Sequence, residues 1–228
     1  MNNPLPLQRR RSIRLKGYDY SQSGAYFVTI CVRDGRCLLG QVVDSAIRLN
    51  DAGRMVREVW DALPEQYPGV EVHAFVVMPN HVHGIIVLTD DLVRATGEAQ
   101  EPAPTGGPEM DESVGATPRG CPVGKSSSSY ARGQALGPAP TGGMSLPDVV
   151  HRFKSFTTAR YRHGVKEHGW PPFAGRFWQR NYWEHVIRDE RGLRQIQEYI
   201  ANNPARWAED RMHPDAPTNP FARRASGR

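Results

Sequence analysis

The order of apolar and polar residues predicts alternating strands and helices in the first part of the chain. Strands are expected where β-branched and aromatic residues cluster, and helices where apolar residues recur every three to four positions. The expected elements are a strand at 25–32, a hairpin within 37–50, a helix starting at Asp51, and two strands at 70–78 and His81–Leu88. The helix carries its apolar stripe at Val56, Val59, Trp60 and Leu63.

Three further elements are expected after residue 144. A helix carries an apolar stripe at Leu146, Val149, Val150, Phe153, Thr157 and Tyr161. Residues 177–187 predict a strand, and 189–203 a last helix that Pro204 ends. The order β, α, β, β, α, β, α predicts an α+β protein with a ferredoxin-like split βαβ sheet and helices packed on one face.

Residues 90–144 differ in composition from both of these parts. They hold ten Gly, seven Pro and a run of four Ser, with almost no apolar periodicity, which predicts a disordered, low-complexity insert. The string PAPTGG occurs at 102–107 and again at 138–143, but it offers no apolar face to stack as a structural repeat. We therefore expect one domain over 17–207, interrupted by this insert, with an N-terminal arm at 1–16 and a tail at 208–228.

The net charge of +5 is unevenly spread. The insert holds four basic and seven acidic residues, so the rest of the chain is more basic than the total indicates. Five cations precede the first acidic residue: Arg9, Arg10, Arg11, Arg14 and Lys16. Such a cluster can bind a polyphosphate such as nucleic acid, or it can be a basic tail in contact with solvent only. Charge alone does not decide between these two interpretations.

Several classes of protein are disfavoured. The longest apolar stretches are far shorter than the roughly 18 residues of a membrane span, and no apolar segment follows the N-terminal arginines, so we expect a cytoplasmic protein without membrane contact. Cys31, Cys37 and Cys121 are odd in number and lack CxxC spacing, so reduced thiols are expected. The string GCPVGKSS at 120–127 departs from a phosphate-binding loop by one residue and follows no strand, so no nucleotide cofactor is expected.

The strongest chemical signal is the string MPNHVHG at 78–84. Side chains alternate along a strand, so His81 and His83 point to the same face, about 7 Å apart along the strand, while Val82 points into the core. Two imidazoles placed in this way suit a shared cation. The alternative is a pair of hydrogen-bonded structural histidines.

A second signal is the string EYIANNP at 198–204. Tyr199 and Asn203 are four residues apart on one helix face, beside an apolar stripe of Leu193, Ile196 and Ile200. Taken alone, this arrangement is more typical of a tyrosine that packs its ring and hydrates its hydroxyl.

Three strings in this order, MPNHVHG, FWQRNYWEHVIRD and EYIANNPARW, resemble the REP-associated tyrosine transposase branch of the HUH single-tyrosine transposases. The resemblance covers about 17–88 and 146–207, and the long insert is unusual for it. It implies a single HUH transposase-like domain in which His81 and His83 hold Mg²⁺ or Mn²⁺. It also implies Asn203 as the third metal ligand and Tyr199 as the nucleophile.

The function implied is that of a metal-dependent tyrosine DNA transposase. It would cleave and rejoin single-stranded, hairpin-associated DNA through a covalent 5′-phosphotyrosine, acting as a monomer or a homodimer. A phenol is a weak nucleophile at neutral pH, so a divalent cation on the phosphate would assist its attack. Imidazole ligands tolerate Mn²⁺ more readily than Mg²⁺.

The residues that contact DNA are less determined. The basic arm, together with Arg152 and Lys154, can follow a phosphate backbone, and Trp178, Trp183 or Trp207 can stack on bases or pack in the core. One alternative function is a non-catalytic nucleic-acid-binding module on the same ferredoxin-like scaffold. A nuclease that activates water is a third interpretation, disfavoured because no Asp or Glu accompanies the histidine motif.

Overall fold

A computed structural model describes residues 17–89 and 144–217 of the chain. The predicted insert, apart from Met144, lies outside the described residues, as do the basic arm and residues 218–228. The predictions for Arg9, Arg10, Arg11, Arg14 and Lys16 therefore concern residues outside the described ranges.

The described residues include six strands and four helices. The strands are β1 (Gly24–Cys31), β2 (Gly40–Val43), β3 (Ala46–Leu49), β4 (Val70–Val77), β5 (His81–Leu88) and β6 (Trp183–Ile187). The helices are α1 (Asp51–Asp61), α2 (Leu63–Gln66), α3 (Leu146–Glu167) and α4 (Glu190–Asn202), with 3₁₀ turns at Arg33–Gly35 and Pro204–Glu209. None of these helices is both long and apolar enough to cross a membrane.

The sheet has the order β4-β5-β1-β6, and each neighbouring pair is antiparallel. Helix α1 lies in the chain segment that connects β1 to β4, and β5 is inserted between these two strands in the sheet. This arrangement is a split βαβ unit. Strands β2 and β3 form a separate hairpin. The predicted ferredoxin-like α+β fold is confirmed, but its helices lie on both faces of the sheet and not on one, because α4 packs on the face opposite α1 and α3.

The last strand is shorter than predicted. Residues 177–182 run beside the end of β1 as a loop, joined to it by an isolated bridge between Val32 and Trp178. The Lys154 ammonium donates to the carbonyls of residues 179, 180 and 181, at 3.0, 3.4 and 3.4 Å. Because these carbonyls turn toward a side chain on α3, they do not extend the strand ladder, and β6 begins only at Trp183.

The two faces of the sheet carry different hydrophobic clusters. On the first face, α1 and α3 cover a large core, where the Trp60 ring stacks on Phe75 at 4.3 Å. A Cβ atom at Gly84 would lie 2.4 Å from the Trp60 ring, so only glycine permits this approach. On the opposite face, Ile200 of α4 and Trp207 join a smaller cluster.

Local signals in the sequence fix the ends of α4. Asp189 caps its N-terminus, with the carboxylate accepting the Gly192 N–H at 2.7 Å. The predicted stripe of Leu193, Ile196 and Ile200 packs against the sheet, with Ile200 buried. The helix ends at Asn202, just before Pro204, which has no N–H to donate. A 3₁₀ turn then directs the chain back toward the sheet.

Candidate metal and tyrosine site

The two histidines of β5 are buried side by side. Their side chains are 0% and 3% exposed for His81 and His83, and their Nε2 atoms are 3.0 Å apart. Val82 between them is fully buried in the core on the other face, as predicted. The alternation of the strand thus brings both imidazoles to one point.

Each ring is oriented through its Nδ1 atom. The Asn80 amide nitrogen donates to the carbonyls of Gly35 (3.0 Å) and Met212 (2.8 Å), so the Asn80 oxygen faces His81 and accepts a hydrogen bond from its Nδ1–H at 2.8 Å. The Nε2 atom of His81 is therefore the unprotonated one. His83 Nδ1 lies 2.7 Å from the Thr29 hydroxyl oxygen. Hydrogen bonds of this kind fix the ring orientation of metal-binding histidines.

Both imidazoles are neutral at physiological pH. Burial lowers the pKa of His81 well below its usual value, and a charge on His83 would lower it further. Burial alone lowers the pKa of His83 to about 3. Neutral imidazole is the form that binds metal ions.

A carboxylate that the sequence did not reveal completes a cluster with the histidines. Asp210 lies just past the 3₁₀ turn that follows α4, with its Oδ2 3.7 Å from His81 Nε2. Potential ligand atoms of His81, His83 and Asp210 all lie within 4.8 Å of one another. The expectation that no acidic residue accompanies the histidine motif is wrong, because the chain folds back after Pro204.

The backbone near Asp210 holds this carboxylate in place. Its Oδ1 accepts the Met212 N–H at 2.7 Å, which leaves Oδ2 directed at the histidines. Burial raises the pKa of Asp210, while the Met212 N–H and the nearby charges of His213 and Arg211 lower it. Asp210 and Met212 lie beyond residue 207, where the predicted domain ends, yet both contact the site.

Tyr199 reaches the same point from α4. Its hydroxyl lies 3.4 Å from His83 Nε2, and its ring packs edge-on against His83 and Phe27. The side chain is nevertheless 45% exposed. Burial of the hydroxyl and the charge of Asp210 raise the pKa of Tyr199, opposed by Asn203 and Arg206. The structure thus brings the predicted phenol to the predicted imidazoles.

Asn203 is buried beside them with an unused acceptor. The residue is 4% exposed, and its Oδ1 has no hydrogen-bond partner. A buried amide oxygen without a partner costs about 1–3 kcal/mol, so a ligand that it can bind would remove a penalty. The sequence identified Asn203 through its spacing from Tyr199 and through the family resemblance, which implies it as a metal ligand.

These donors fit a divalent cation. Two nitrogen ligands at about 2.1 Å on adjacent positions of an octahedron are about 3.0 Å apart, the separation observed between the two Nε2 atoms. Imidazole, carboxylate and amide oxygen together are a donor set that can hold a divalent cation.

Three of the residues predicted to contact DNA lie within the described ranges: Arg152, Lys154 and Trp178. Trp178 is 3% exposed and donates its indole N–H to Thr157 at 2.7 Å, so its ring cannot stack on a base without leaving the core. The Lys154 ammonium is engaged by the loop carbonyls, and the Arg152 guanidinium lies over the Tyr67 ring at 5.2 Å. The structure therefore shows packing contacts for these three residues, and their contact with DNA stays a prediction.

A cavity of about 1320 Å³ opens beside the site and connects it to solvent. The site contributes His83, Tyr199, Asn203 and Asp210 to its wall. The cavity is lined by four carboxylates, Asp34, Glu198, Glu209 and Asp210, and by five arginines, Arg33, Arg176, Arg180, Arg206 and Arg211. Cations around a nucleophile suit an anionic substrate.

The fold and the site define a class of protein: a ferredoxin-like domain with a buried histidine pair facing a helical tyrosine. A Haemophilus influenzae protein described as uncharacterized is 34% identical to this chain over 209 residues, which cover 92% of this chain and 96% of that protein. A second protein of that organism, named "Putative REP-associated tyrosine transposase", is 23% identical over 90% of this chain and 84% of its own length. No family model matches the sequence.

A solved structure of a REP-associated tyrosine transposase bound to a REP hairpin is 20% identical to this chain, with a TM-score of 0.44. The match covers 85% of this chain and 73% of that one. The chain belongs to the REP-associated tyrosine transposase family, as its three motifs led us to expect.

Proposed function

We propose that this protein cleaves and rejoins single-stranded DNA beside a hairpin, with Tyr199 as the nucleophile and a divalent cation as cofactor. Relatedness to a named transposase supports a transposase-like function in general terms. The observation that carries the specific proposal is the position of the Tyr199 hydroxyl, 3.4 Å from a buried, neutral histidine pair and open to a cavity lined with arginines.

Four side chains would hold the cation. These are the Nε2 atoms of His81 and His83, the carboxylate of Asp210 and the unpaired Oδ1 of Asn203. Asn80 and Thr29 orient the two imidazoles through their Nδ1 atoms. When bound, the cation supplies Lewis-acid stabilisation of the charge that develops on the scissile phosphate.

Tyr199 performs the covalent step. Its phenol oxygen forms a bond to the scissile phosphorus while the bond to the 3′ oxygen breaks. The departing 3′ oxygen takes up a proton from water, so the products are a 5′-phosphotyrosine and a free 3′-hydroxyl. Burial and the charge of Asp210 raise the pKa of Tyr199, so the phenol is protonated at rest and releases its proton to water in the cavity during attack. A second 3′-hydroxyl can then attack the phosphotyrosine and join strands, since the phosphodiester bond energy is retained.

The decisive experiment is capture of the covalent intermediate. Protein is incubated with Mn²⁺ or Mg²⁺ and a labelled pool of DNA hairpins that carry randomised single-stranded flanks. A labelled band that survives SDS is expected for the wild type and not for Tyr199→Phe, which keeps the ring and should still bind DNA. Tyr182→Phe is the matched control because Tyr182 is buried in the core on the other face of the sheet, so the loss of its hydroxyl should leave the adduct unchanged.

One observation favours a second candidate function. Asp210 places a carboxylate beside the histidines, where it can act as a general base for water, as in a hydrolytic nuclease. Cleavage that persists in Tyr199→Phe without an adduct would establish that function instead. Binding without cleavage under either cation would leave a non-catalytic nucleic-acid-binding module.

A further inference from the structure

Two large apolar side chains are exposed in the part of the chain that the structure describes, and both line the same cavity. These are Tyr199, at 45%, and Trp183, at 55%. The proposed nucleophile accounts for the first. Trp183 begins the edge strand β6 and has no place in the mechanism described above.

Strand register places Trp183 on the same face as the histidines. Thr29 of β1 is directly opposite Trp183 on one side and His83 on the other. Residues directly opposite in antiparallel strands project to the same face, and Thr29 contacts the His83 ring. Two strand spacings separate Trp183 from His83, about 10 Å between backbones.

The wall beneath Trp183 is held rigidly. The loop that leads into β6 is joined to the end of β1 by hydrogen bonds from Gln179 N–H to the Cys31 carbonyl (2.9 Å) and from Arg33 N–H to the Phe177 carbonyl (2.8 Å). From the other side, Lys154 binds three successive carbonyls of the same loop. An aromatic ring on such a wall is prearranged, which lowers the entropy lost when a ligand stacks on it.

Charge around Trp183 suits a phosphate backbone. Arg176 and Arg180 line the cavity in this loop, and neither forms an ion pair with a carboxylate of the described residues. Arg33 and Arg206, by contrast, are paired with Asp34 and Glu209. Proteins that bind single-stranded nucleic acid combine such cations with an exposed aromatic ring on which a base stacks.

We propose that Trp183 is the stacking platform for an unpaired base next to the scissile phosphate, with Arg176 and Arg180 binding the adjoining backbone. The proposal rests on the proposed function, since it assumes that DNA enters the cavity beside Tyr199. It assigns Trp183 to substrate binding and leaves bond cleavage to the site described above.

The test compares a short dT oligonucleotide with an abasic oligonucleotide of the same length, by fluorescence anisotropy in the presence of EDTA. Trp183→Ala should weaken dT binding by roughly 5- to 150-fold and leave abasic binding unchanged. Trp183→Phe should retain most of the affinity because it keeps an aromatic face. Arg180→Ala should weaken both probes, since it acts on the backbone.

Other outcomes would overturn the proposal. Equal affinities of Trp183→Ala and wild type for dT would do so, as would equal weakening of both probes. A changed oligomeric state of Trp183→Ala on size-exclusion chromatography, with DNA binding intact, would show that the ring faces a second copy of the chain.

The adduct assay separates this proposal from the one on which it rests. If Trp183→Ala binds dT normally and wild type still forms the Tyr199 adduct, the stacking proposal fails and the proposed function stands. If Trp183→Ala selectively loses dT binding while no protein forms an adduct, the covalent function fails, and Trp183 stacks bases in a binding module.

Discussion

The buried histidine pair makes the stability of the metal-free protein depend on pH. Burial lowers the pKa of His83 from 6.5 to about 3, and that of His81 shifts in the same direction. In the unfolded chain both rings regain ordinary values and bind protons below about pH 6.5. Because the unfolded state then binds more protons than the folded one, acid favours unfolding, and stability rises with pH through this range.

The size of the effect follows from the His83 shift. Between pH 7 and pH 5, an imidazole with a pKa of 6.5 when unfolded and about 3 when folded removes about 2 kcal/mol from the free energy of unfolding. His81 adds to this loss. Below about pH 3 the folded state also binds the His83 proton, so the loss from His83 levels off. A total stability of about 5–15 kcal/mol makes such a change measurable.

Urea unfolding at pH 7 and pH 5, in EDTA, measures the difference directly. The double variant His81→Gln/His83→Gln lacks both buried imidazoles and should lose at least about 2 kcal/mol less than wild type on acidification, whatever its stability at pH 7. His185→Gln is the matched control, since this histidine of β6 is exposed. An equal loss in wild type and in the double variant would refute the reasoning that burial holds the pair neutral.

Three further predictions concern the ligands and the core. Asp210→Asn should weaken Mn²⁺ binding at least about 10-fold in calorimetry, while the neighbouring change Glu209→Gln should not. Equal Mn²⁺ affinities of Asp210→Asn and wild type would show that Asp210 is not a ligand. Asn203→Leu should weaken Mn²⁺ binding without destabilising the metal-free protein, because it removes a buried acceptor that has no partner, and a large stability loss in urea would contradict this. Gly84→Ala should cost about 1–3 kcal/mol in urea unfolding, because its Cβ would overlap the Trp60 ring; an unchanged midpoint would show that the ring moves freely.

The sequence predicted well where side-chain periodicity and burial agree. The alternation of β5 placed Val82 in the core and both histidines on the other face, and the helical spacing of Tyr199 and Asn203 brought both to the site. These patterns suffice because a strand and a helix fix side-chain direction by geometry alone. The family motifs added the roles, which the patterns themselves left open.

Prediction failed where irregular backbone determines the contact. Asp210 follows a 3₁₀ turn, and its carboxylate reaches His81 only because the chain reverses after Pro204 and the Met212 N–H holds Oδ1. No periodicity in the sequence encodes that reversal. Irregular backbone also determines the contacts of Lys154, whose ammonium donates to three loop carbonyls that no pattern in the sequence predicts.

The register of the central strand couples the candidate site to the hydrophobic core. In β5 the residues at positions 81 and 83 face α4, whereas Val82 and Gly84 face α1, where the Trp60 ring occupies the space above Gly84. If the register of β5 slipped by one residue, both imidazoles would point into the core. A larger side chain would then replace Gly84 beneath the Trp60 ring, where there is no room for it. Packing between Trp60 and Gly84 on one face therefore fixes the register of β5, and this register fixes the positions of His81 and His83 on the other face.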